Sequence, residues 1–277
     1  MTRSPLTRRR FLATAAAGGL ALPFAARAQV TDLEGFDPIW RGTEMAVDHF
    51  FPRATFERSG IHLDLPQHAD TGSSVPMTLR IDAAMTPEDY PVVVHVLADG
   101  NPSPHVLSAW FTPACGRAEL STRIRLETTQ TVTAVAQMSD GRHLRVDRDI
   151  SVAFGACGQV GTGTNDDVVN FQPETRISVP EAAVRGEVFA VRGIISHPME
   201  TGMRYSPTHE MIRQRIVSRF GCLYNGQEIF RARLYPAIAT NPYFVIHARA
   251  QDSGTITLTW YDMLDITYRA EAPLTVL

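Results

Sequence analysis

The sequence predicts an all-β protein made of two antiparallel β-sandwich domains in tandem. Apolar and polar residues alternate in several short segments, most regularly in Thr255–Trp260, where every second residue is a large apolar one. Such alternation, rich in β-branched residues, is typical of strands with one buried face. Turn signals such as Asp99–Pro102 and Asp252–Gly254 separate the segments at intervals typical of sandwiches. We expect helix only in Pro38–Phe50 and in Pro207–Arg213.

The two halves of the chain repeat a pattern of residues. Phe111–Ala114 (Phe-Thr-Pro-Ala) resembles Leu234–Ala237 (Leu-Tyr-Pro-Ala), and two alternating segments follow each motif before an aspartate, Asp140 or Asp262. Without its first 28 residues the chain has about 250, which suits one large or two ordinary domains. We therefore expect one domain at 29–154 and another at 175–277.

The first 28 residues predict an export signal. Thr7–Leu12 (TRRRFL) is a twin-arginine pattern, an apolar run follows it, and Ala26-Arg27-Ala28 is a small-x-small cleavage site. A transmembrane anchor is the alternative, but the apolar run is short and rich in glycine and alanine. We expect a mature chain that starts at Gln29 and works in the periplasm, with no membrane insertion after cleavage.

Composition excludes several kinds of function. All 26 basic residues are arginines, which excludes lysine Schiff bases and a P-loop. Removal of residues 1–28 leaves 21 basic and 29 acidic residues, a net charge of −8 that disfavours nucleic acid and anionic lipid as partners. The nine histidines show no ligand spacing, and no CxxC, CxxCH or HExxH motif occurs. We therefore expect neither a metal nor another cofactor.

A glycine-rich segment separates the two predicted domains. It reads FGACGQVGTGTNDD over 154–167, and we place the linker at 155–174. Its flexibility is expected to come from four glycines: Gly155, Gly158, Gly161 and Gly163. Because glycine-rich chain behaves as flexible coil, about 20 such residues span on the order of 25 Å.

Cys157 lies within this linker and is the candidate functional residue. With three cysteines in an oxidising compartment, at least one has no partner in the same chain. An incidental cysteine in an ordinary linker is the alternative interpretation. However, an exposed free thiol in that compartment is open to disulfide exchange and overoxidation. This risk favours a functional role for Cys157 over an incidental one.

The sequence around Cys157 favours a carrier over an enzyme. A nucleophilic cysteine needs a nearby histidine, cation or helix amino terminus to lower its pKa, whereas the nearest charged residues here are Asp166 and Asp167. A thiol with a pKa of about 8.5 is only roughly 3% thiolate at pH 7. We expect no autonomous catalysis, because a thiol hydrolase would need a base that the sequence does not show.

Two blocks of the sequence resemble the two subunits of the SoxYZ sulfur-oxidation carrier family. From Pro66 to Phe154 the SoxY pattern is matched by MTPEDY, LADGNPSPHVLSAWFTPACGRAELSTRIRL and VTAVAQMSDG. From Arg176 to Val276 the SoxZ pattern is matched by GEVFAVRGIISHPMETGMR, FGCLYNGQEIFRARLYPAIATNPYF and SGTITLTWYD. The resemblance implies a fusion of two immunoglobulin-like sandwiches, most similar to the fused SoxYZ-like proteins associated with quinoprotein dehydrogenases.

The resemblance also implies a role for Cys157. In the SoxY family the tail ends in Gly-Gly-Cys-Gly-Gly, a swinging arm whose thiol covalently bears sulfur intermediates while other enzymes process them. The matching stretch here is Gly155-Ala156-Cys157-Gly158-Gln159, which has two residues larger than glycine and continues into the SoxZ-like half. The implied function is a periplasmic carrier of a small sulfur-containing group. Its implied partners are Sox-type enzymes or a quinoprotein dehydrogenase system.

A second hypothesis is a non-covalent adaptor. Such a protein would dock a periplasmic quinoprotein dehydrogenase to a cytochrome or another electron acceptor through the faces of its sheets. Cys157 would then be incidental.

The remaining candidate groups are interpreted as structural. Ser196–Glu200 places a serine, a histidine and a carboxylate too close together for a nucleophilic triad, so His197 is expected to be structural or partner-facing. Cys222 is expected in the core and Cys115 in a turn, and a bridge between the two is left open. Five arginines could form an anion-binding site, but alternation favours mostly solvated strand faces for them: Arg213, Arg215, Arg219, Arg231 and Arg233.

Overall fold

The computed structural model describes residues 42–156 and 163–277. The helices of this part of the chain whose bounds are described are α1 (Thr43–Phe50), α2 (Asn165–Asn170) and a 3₁₀ turn at Pro113–Cys115. None of the described helices is long and apolar enough to cross a bilayer. The predicted export signal and cleavage site lie outside the described residues.

Strands make up most of the described structure. The first half of the chain contributes β1 (Phe56–Glu57), β2 (Ile61–Asp64), β3 (His68–Thr71), β4 (Val75–Ile81), β5 (Pro91–Ala98), β6 (His105–Phe111), β7 (Ala118–Ile124), β8 (Gln130–Met138) and β9 (His143–Phe154). The second half contributes β10 (Thr175–Ser178), β11 (Ala182–Ala183), β12 (Val188–Ile195), β13 (Val217–Tyr224), β14 (Gln227–Leu234), β15 (Tyr243–Arg249), β16 (Gly254–Asp262) and β17 (Thr267–Val276). The all-β prediction is therefore confirmed.

One of the two expected helices is present. Helix α1 lies within Pro38–Phe50, but Pro207–Arg213 is an irregular loop, so the helix expected there was wrong. The hydroxyl oxygen of Ser206 accepts the N–H groups of Thr208 (3.2 Å) and Glu210 (3.1 Å) and closes a turn. Local side-chain bonding of this kind competes with helix formation.

Two sheets run through both halves of the chain. The larger has eleven strands in the order β1-β9-β8-β5-β6-β14-β13-β16-β17-β11, with β3 also paired to β9. The smaller has six strands in the order β10-β12-β15-β7-β4-β2. The sheets pack face to face, as where Gly193 of β12 lies against Leu258 and Trp260 of β16. The two sandwiches are therefore present, but they share both of their sheets.

Strands β6 and β14 join the halves in the larger sheet. They pair antiparallel from Leu107–Leu234 to Phe111–Phe230, with Ala109 opposite Ala232 at the centre. The repeat that aligns Phe111 with Leu234 also aligns Ala109 with Ala232. Equivalent residues thus face each other, and a local twofold pseudosymmetry axis passes between the two alanines. The internal repeat stays a prediction from the sequence, and the register places its equivalent alanines opposite each other.

Aromatic side chains fill the core across the junction. Phe111 of the first half meets Phe230 of the second edge to face at 5.1 Å between ring centroids. Phe220 packs on Phe230 and stacks on Phe244 at 4.6 Å. Most of the buried apolar residues of the two halves form one continuous cluster. Because separating the halves would expose this cluster to water, the hydrophobic effect opposes their separation.

Helix α1 covers the outer face of the larger sheet in the first half. Its buried apolar side chains, Ala46 and Val47, pack with Phe51 against Val93 and Leu97 of β5. The helix is amphipathic, and this packing holds it in place, since a helix of eight residues has little stability of its own.

The shared core predicts that both halves unfold together. Phe230→Ala should lower the free energy of unfolding by about 3–5 kcal/mol, because it removes a fully buried ring at the junction. Native-state hydrogen exchange of β8 and β16 amides should show the same loss in both strands. The control is Phe154→Ala, which removes a ring that is 75% exposed and should cost less than about 0.5 kcal/mol. A loss confined to β16 would contradict a single cooperative unit.

Candidate functional site

The two flanks of the predicted carrier cysteine define the candidate site. Cys157, Gly158 and Gly161 lie in 157–162, outside the described residues. The upstream flank ends at Ala156 and the downstream flank begins at Gly163. We therefore build the site from these two ends of the chain and from the residues that hold them.

The upstream flank is held by loops of the first half. Strand β9 ends at Phe154, whose carbonyl accepts the N–H of Gly72 at 2.7 Å. The N–H of Ala156 donates to the carbonyl of Leu126 at 3.1 Å. Consecutive Cα atoms lie about 3.8 Å apart, so the chain that carries the thiol starts beside this anchored backbone.

Gly155 permits close packing in the upstream flank. A Cβ atom at this position would lie 2.0 Å from the carbonyl oxygen of Glu127, so no larger residue fits without moving the backbone. At Gly163 the nearest atoms to such a Cβ, on Asp167, are 3.6 Å away, an ordinary contact. Gly155 and Gly163, two of the four glycines predicted to give flexibility, therefore lie in different surroundings. The flexibility assigned to all four glycines stays a prediction.

The downstream flank enters helix α2 immediately. Thr164 caps this helix: its hydroxyl accepts the N–H of Asp167 at 3.4 Å, and the Asp167 carboxylate accepts the N–H of Thr164 at 2.7 Å. The N–H of Thr164 and its hydroxyl, at 2.9 Å, both donate to this carboxylate and hold the pKa of Asp167 below its usual range. Part of the predicted linker at 155–174 is thus helical, although its boundaries as a linker stay a prediction.

Side chains of the second half fasten this helix. Asn165 donates to the carbonyl of Met211 at 3.2 Å and accepts the N–H of Arg213 at 2.8 Å. Arg215 lies beneath α2 and is 3% exposed, so its predicted place on a solvated face was wrong. It precedes β13, where strand alternation does not apply, and it forms a buried ion pair with Asp262 at 3.1 Å.

A small groove between the halves lies beside both flanks. It encloses about 40 Å³ and is lined by Asn101, Pro102, Ser103, Arg125, Glu127, Ala156, Thr201, Met203, Pro236 and Ala237. Ala156 is the last described residue before the cysteine. Arg204, next to Met203, donates to the carbonyl of Gly163 at 3.3 Å and pairs with Glu200 at 2.8 Å. Both ends of the cysteine-bearing segment are therefore fixed near this groove.

Arg125 ties the two halves together at the groove. Its guanidinium donates to the carbonyls of Met199 (2.6 Å) and Pro198 (3.3 Å) and to the hydroxyl of Thr240 (2.7 Å). These acceptors lie in the second half, in and near the ISHPMETG segment. Sequence reasoning missed Arg125 and Arg204 because both are remote from Cys157 along the chain, and only the fold brings them to its flanks.

The other two cysteines are buried, unbridged and chemically protected. Cys115 donates its S–H to the carbonyl of Ile229 at 3.1 Å, and burial raises the pKa of its thiol to about 12. Burial also raises the pKa of Cys222 well above its usual value. The positions predicted for them, a turn and the core, are confirmed, and the Cys115–Cys222 bridge left open by the sequence does not form.

His197 is a structural residue within the ISHPMETG segment. It is fully buried, and its Nδ1 accepts the N–H of Met199 at 3.0 Å. Burial, together with the nearby Arg215 guanidinium, lowers the pKa of its imidazole to about 4, while Asp262 acts weakly in the opposite direction. The ring is therefore neutral at pH 7.

Comparison with known proteins finds two separate matches along the chain. The family model of sulfur oxidation protein SoxY matches residues 47–157, and that of sulphur oxidation protein SoxZ matches residues 177–273. No curated protein matches the chain.

Two solved structures resemble part of the chain. The sulfur carrier protein SoxY from Chlorobium limicola f thiosulfatophilum has 24% identity and a TM-score of 0.34, over 39% of this chain and 94% of that one. A superoxide reductase (neelaredoxin) from Ignicoccus hospitalis has 18% identity and a TM-score of 0.30, over 37% of this chain and 80% of that one. Because both TM-scores are below 0.5, the family assignment rests on the two family models.

The surroundings of Gly155 and Gly163 predict opposite outcomes for the same substitution. Gly155→Ala should shift the upstream flank away from Glu127, raise the alkylation rate of Cys157 and lower the thermal midpoint by several degrees, equivalent to about 1–2 kcal/mol. Gly163→Ala is the matched control and should change neither quantity. Alkylation is followed by intact mass. Equal effects of both substitutions would show that these glycines act alike.

The buried imidazole of His197 predicts acid sensitivity. A histidine with a pKa of 6.5 when unfolded and about 4 when folded takes up its proton in the unfolded state first, so stability falls as pH drops from 6.5 towards 4. Between pH 7 and 5 this residue should contribute a loss of about 2 kcal/mol.

His197→Asn tests this contribution. The side-chain oxygen of the asparagine can accept the N–H of Met199 in place of Nδ1, and the asparagine side chain does not titrate. Urea unfolding at pH 7 and pH 5 should show a smaller loss of stability than in the wild type, whereas His209→Asn, at an exposed position, should leave the loss unchanged. An unchanged pH dependence in His197→Asn would assign the acid sensitivity to other groups.

Proposed function

Because the chain is a fused SoxYZ-like protein, a SoxY domain followed by a SoxZ domain, we propose that it is a covalent carrier of a small sulfur-containing group. The proposed attachment atom is Sγ of Cys157. The observation that carries the proposal is the extent of the SoxY match, which ends at residue 157 with the cysteine as its last residue. The SoxY structure from Chlorobium is itself that of a sulfur carrier protein.

The chemistry of attachment calls for a partner. Joining the thiol sulfur of Cys157 to a second sulfur atom, as a persulfide or thiosulfonate, forms an S–S bond, releases the thiol proton and removes two electrons. A redox enzyme must accept those electrons. We propose periplasmic enzymes of the Sox type, or a quinoprotein dehydrogenase system, as the partners that load and unload the thiol. The protein itself would present the group without catalysing its conversion.

Burial of the other thiols supports attachment at one position. Cys115 and Cys222 are fully buried, and the raised pKa of each keeps it protonated at neutral pH. A partner that docks at the groove would meet the segment carrying Cys157 and neither of these two. A carrier with one addressable sulfur delivers its cargo at one defined place.

Exposed apolar side chains around the flanks support docking of a protein partner. They belong to the segments that form or hold the two flanks: Phe154, Val169, Met203, Tyr205 and Met211. Each is 49–75% exposed. Apolar groups exposed beside a functional segment are suited to contact with a partner, and methionine adapts to partners of different shape. A partner whose active site reaches the thiol would cover them.

The twin-arginine signal predicted for residues 1–28 leads us to propose the periplasm as the location. An oxidising compartment suits a carrier whose working bond is S–S, because such bonds persist there.

Mass analysis of the protein from its native host tests the carrier function. We expect a fraction of the wild-type chain to carry an added mass on Cys157 that reductant removes, and none on Cys115 or Cys222. Cys157→Ser should abolish the adduct and the host pathway, whereas Cys115→Ala should keep both. A Cys157→Ser protein that retains its partners and supports the pathway would overturn the carrier and leave the adaptor.

A further inference from the structure

We propose that Arg215 is a positioning residue that locks helix α2, the first helix after the cysteine-bearing segment, to the second half and so limits how many residues separate Cys157 from fixed backbone. The inference rests on the proposed carrier function of Cys157. It follows from three features of the structure: the bonds of Arg215 to α2, its buried counter-ion and the shortness of that helix.

The bonds of Arg215 converge on the carboxyl end of helix α2. One guanidinium nitrogen, Nη1, lies 2.6 Å from the carbonyl oxygen of Val168, 3.1 Å from that of Val169 and 3.1 Å from that of Phe171. The last carbonyls of a helix have no partner within it. Arg215 supplies that partner from a different part of the chain, so it fixes the end of α2 in space.

The buried carboxylate of Asp262 holds the guanidinium in this position. Its Oδ2 accepts from Nη2 of Arg215 at 3.1 Å and from the hydroxyl of Tyr268 at 3.3 Å. Its Oδ1 accepts the N–H groups of Leu264 (2.8 Å) and Ile266 (3.2 Å), so the carboxylate is itself fixed by the turn between β16 and β17. The lock is therefore anchored in the core strands of the second half.

The energetics favour a positioning role over a purely stabilising one. Arg215 is 3% exposed and Asp262 is 2% exposed. Removing two charges from water costs several kcal/mol per ion, and apolar residues of similar size often stabilise a protein equally well. An apolar residue could fill the same space but could not bind three carbonyl groups. The carbonyl bonds are what the arginine adds.

Helix α2 depends on this lock because it is short. It has six residues, fewer than an isolated helix needs to persist in water. Thr164 satisfies its amino end and Arg215 its carboxyl end. Without Arg215 the regular structure nearest downstream would be β10, which starts at Thr175.

The lock bears on the number of residues between the upstream and downstream anchors of Cys157. With Gly163 held, the segment between the anchors comprises residues 157–162 and spans at most about 25 Å when fully extended. With the carboxyl end of α2 released, the chain before β10 is held only by the bonds of Arg204 to Gly163 and of Asn165 to Met211 and Arg213, and β10 starts at Thr175. Arg215 thus adds a third hold on the downstream flank and keeps the number of residues between the two anchors small.

Three variants test the lock. Arg215→Met combined with Asp262→Asn removes both charges, while the asparagine oxygen can still accept the N–H groups of Leu264 and Ile266. Arg215→Lys keeps the buried charge pair, but one ammonium cannot serve three carbonyls and the carboxylate together. Arg213→Met is the matched control, since Arg213 is exposed and lies two residues away.

Hydrogen exchange and thiol labelling read out the result. In the double variant, amides of 163–171 should exchange at least about 100-fold faster than in the wild type, while β13 and β16 keep their protection. In Arg215→Lys the same amides should exchange about 10-fold faster. The rate of Cys157 labelling by a polyethylene glycol maleimide, relative to iodoacetamide, should rise about 10-fold in the double variant. Arg213→Met should match the wild type in both measurements.

Wild-type exchange of 163–171 in a folded double variant would overturn the proposal. If the double variant does not fold, Arg215→Lys decides, and wild-type exchange and labelling in that variant overturn the proposal equally. The exchange measurements are repeated in a Cys157→Ser background, where the lock must behave the same. Failure of the lock is therefore distinguishable from failure of the carrier function, which the mass analysis of host protein decides.

Discussion

The pairing of β6 with β14 is the constraint on which the rest of the structure depends. It turns two sheets into one and places Ala109 opposite Ala232, so that the halves meet around a local twofold axis. The same junction brings the Pro236–Ala237 turn beside Arg125 and so forms the groove. Both flanks of the cysteine-bearing segment are fastened next to that groove, one to each half. The carrier site therefore depends on the junction between the domains.

The alternation of neighbouring residues predicted the strands. The repeated motif predicted two halves that are equivalent to each other. The junction itself could not be predicted. Strand β6 is buried at all but one of its positions, as an interior strand is, but such burial does not say which strand lies on either side. The SoxYZ resemblance implied the two parts and their sandwich fold. It did not give the register that unites them.

The surroundings of the site were harder to predict than the fold. The sequence singled out Cys157, which lies outside the described residues, and showed only Asp166 and Asp167 near it. Helix α2 was expected to be coil because its six residues have no helical stability of their own, and the arginine that completes it is far away in the chain. Gly155 was expected to give freedom, yet its lack of a Cβ allows contact with Glu127. Groups remote in sequence, a side chain for α2 and a backbone carbonyl for Gly155, decide these features.

The shared sheets have a consequence for assembly. In a complex of two separate subunits, the interface is lost when the protein is diluted below its dissociation constant. Here both partners of the β6–β14 pair belong to one polypeptide, so their association is intramolecular and independent of protein concentration. The two halves are also made in equal numbers without any coordination of synthesis. Even at very low protein concentration, every copy of the protein therefore has a complete groove.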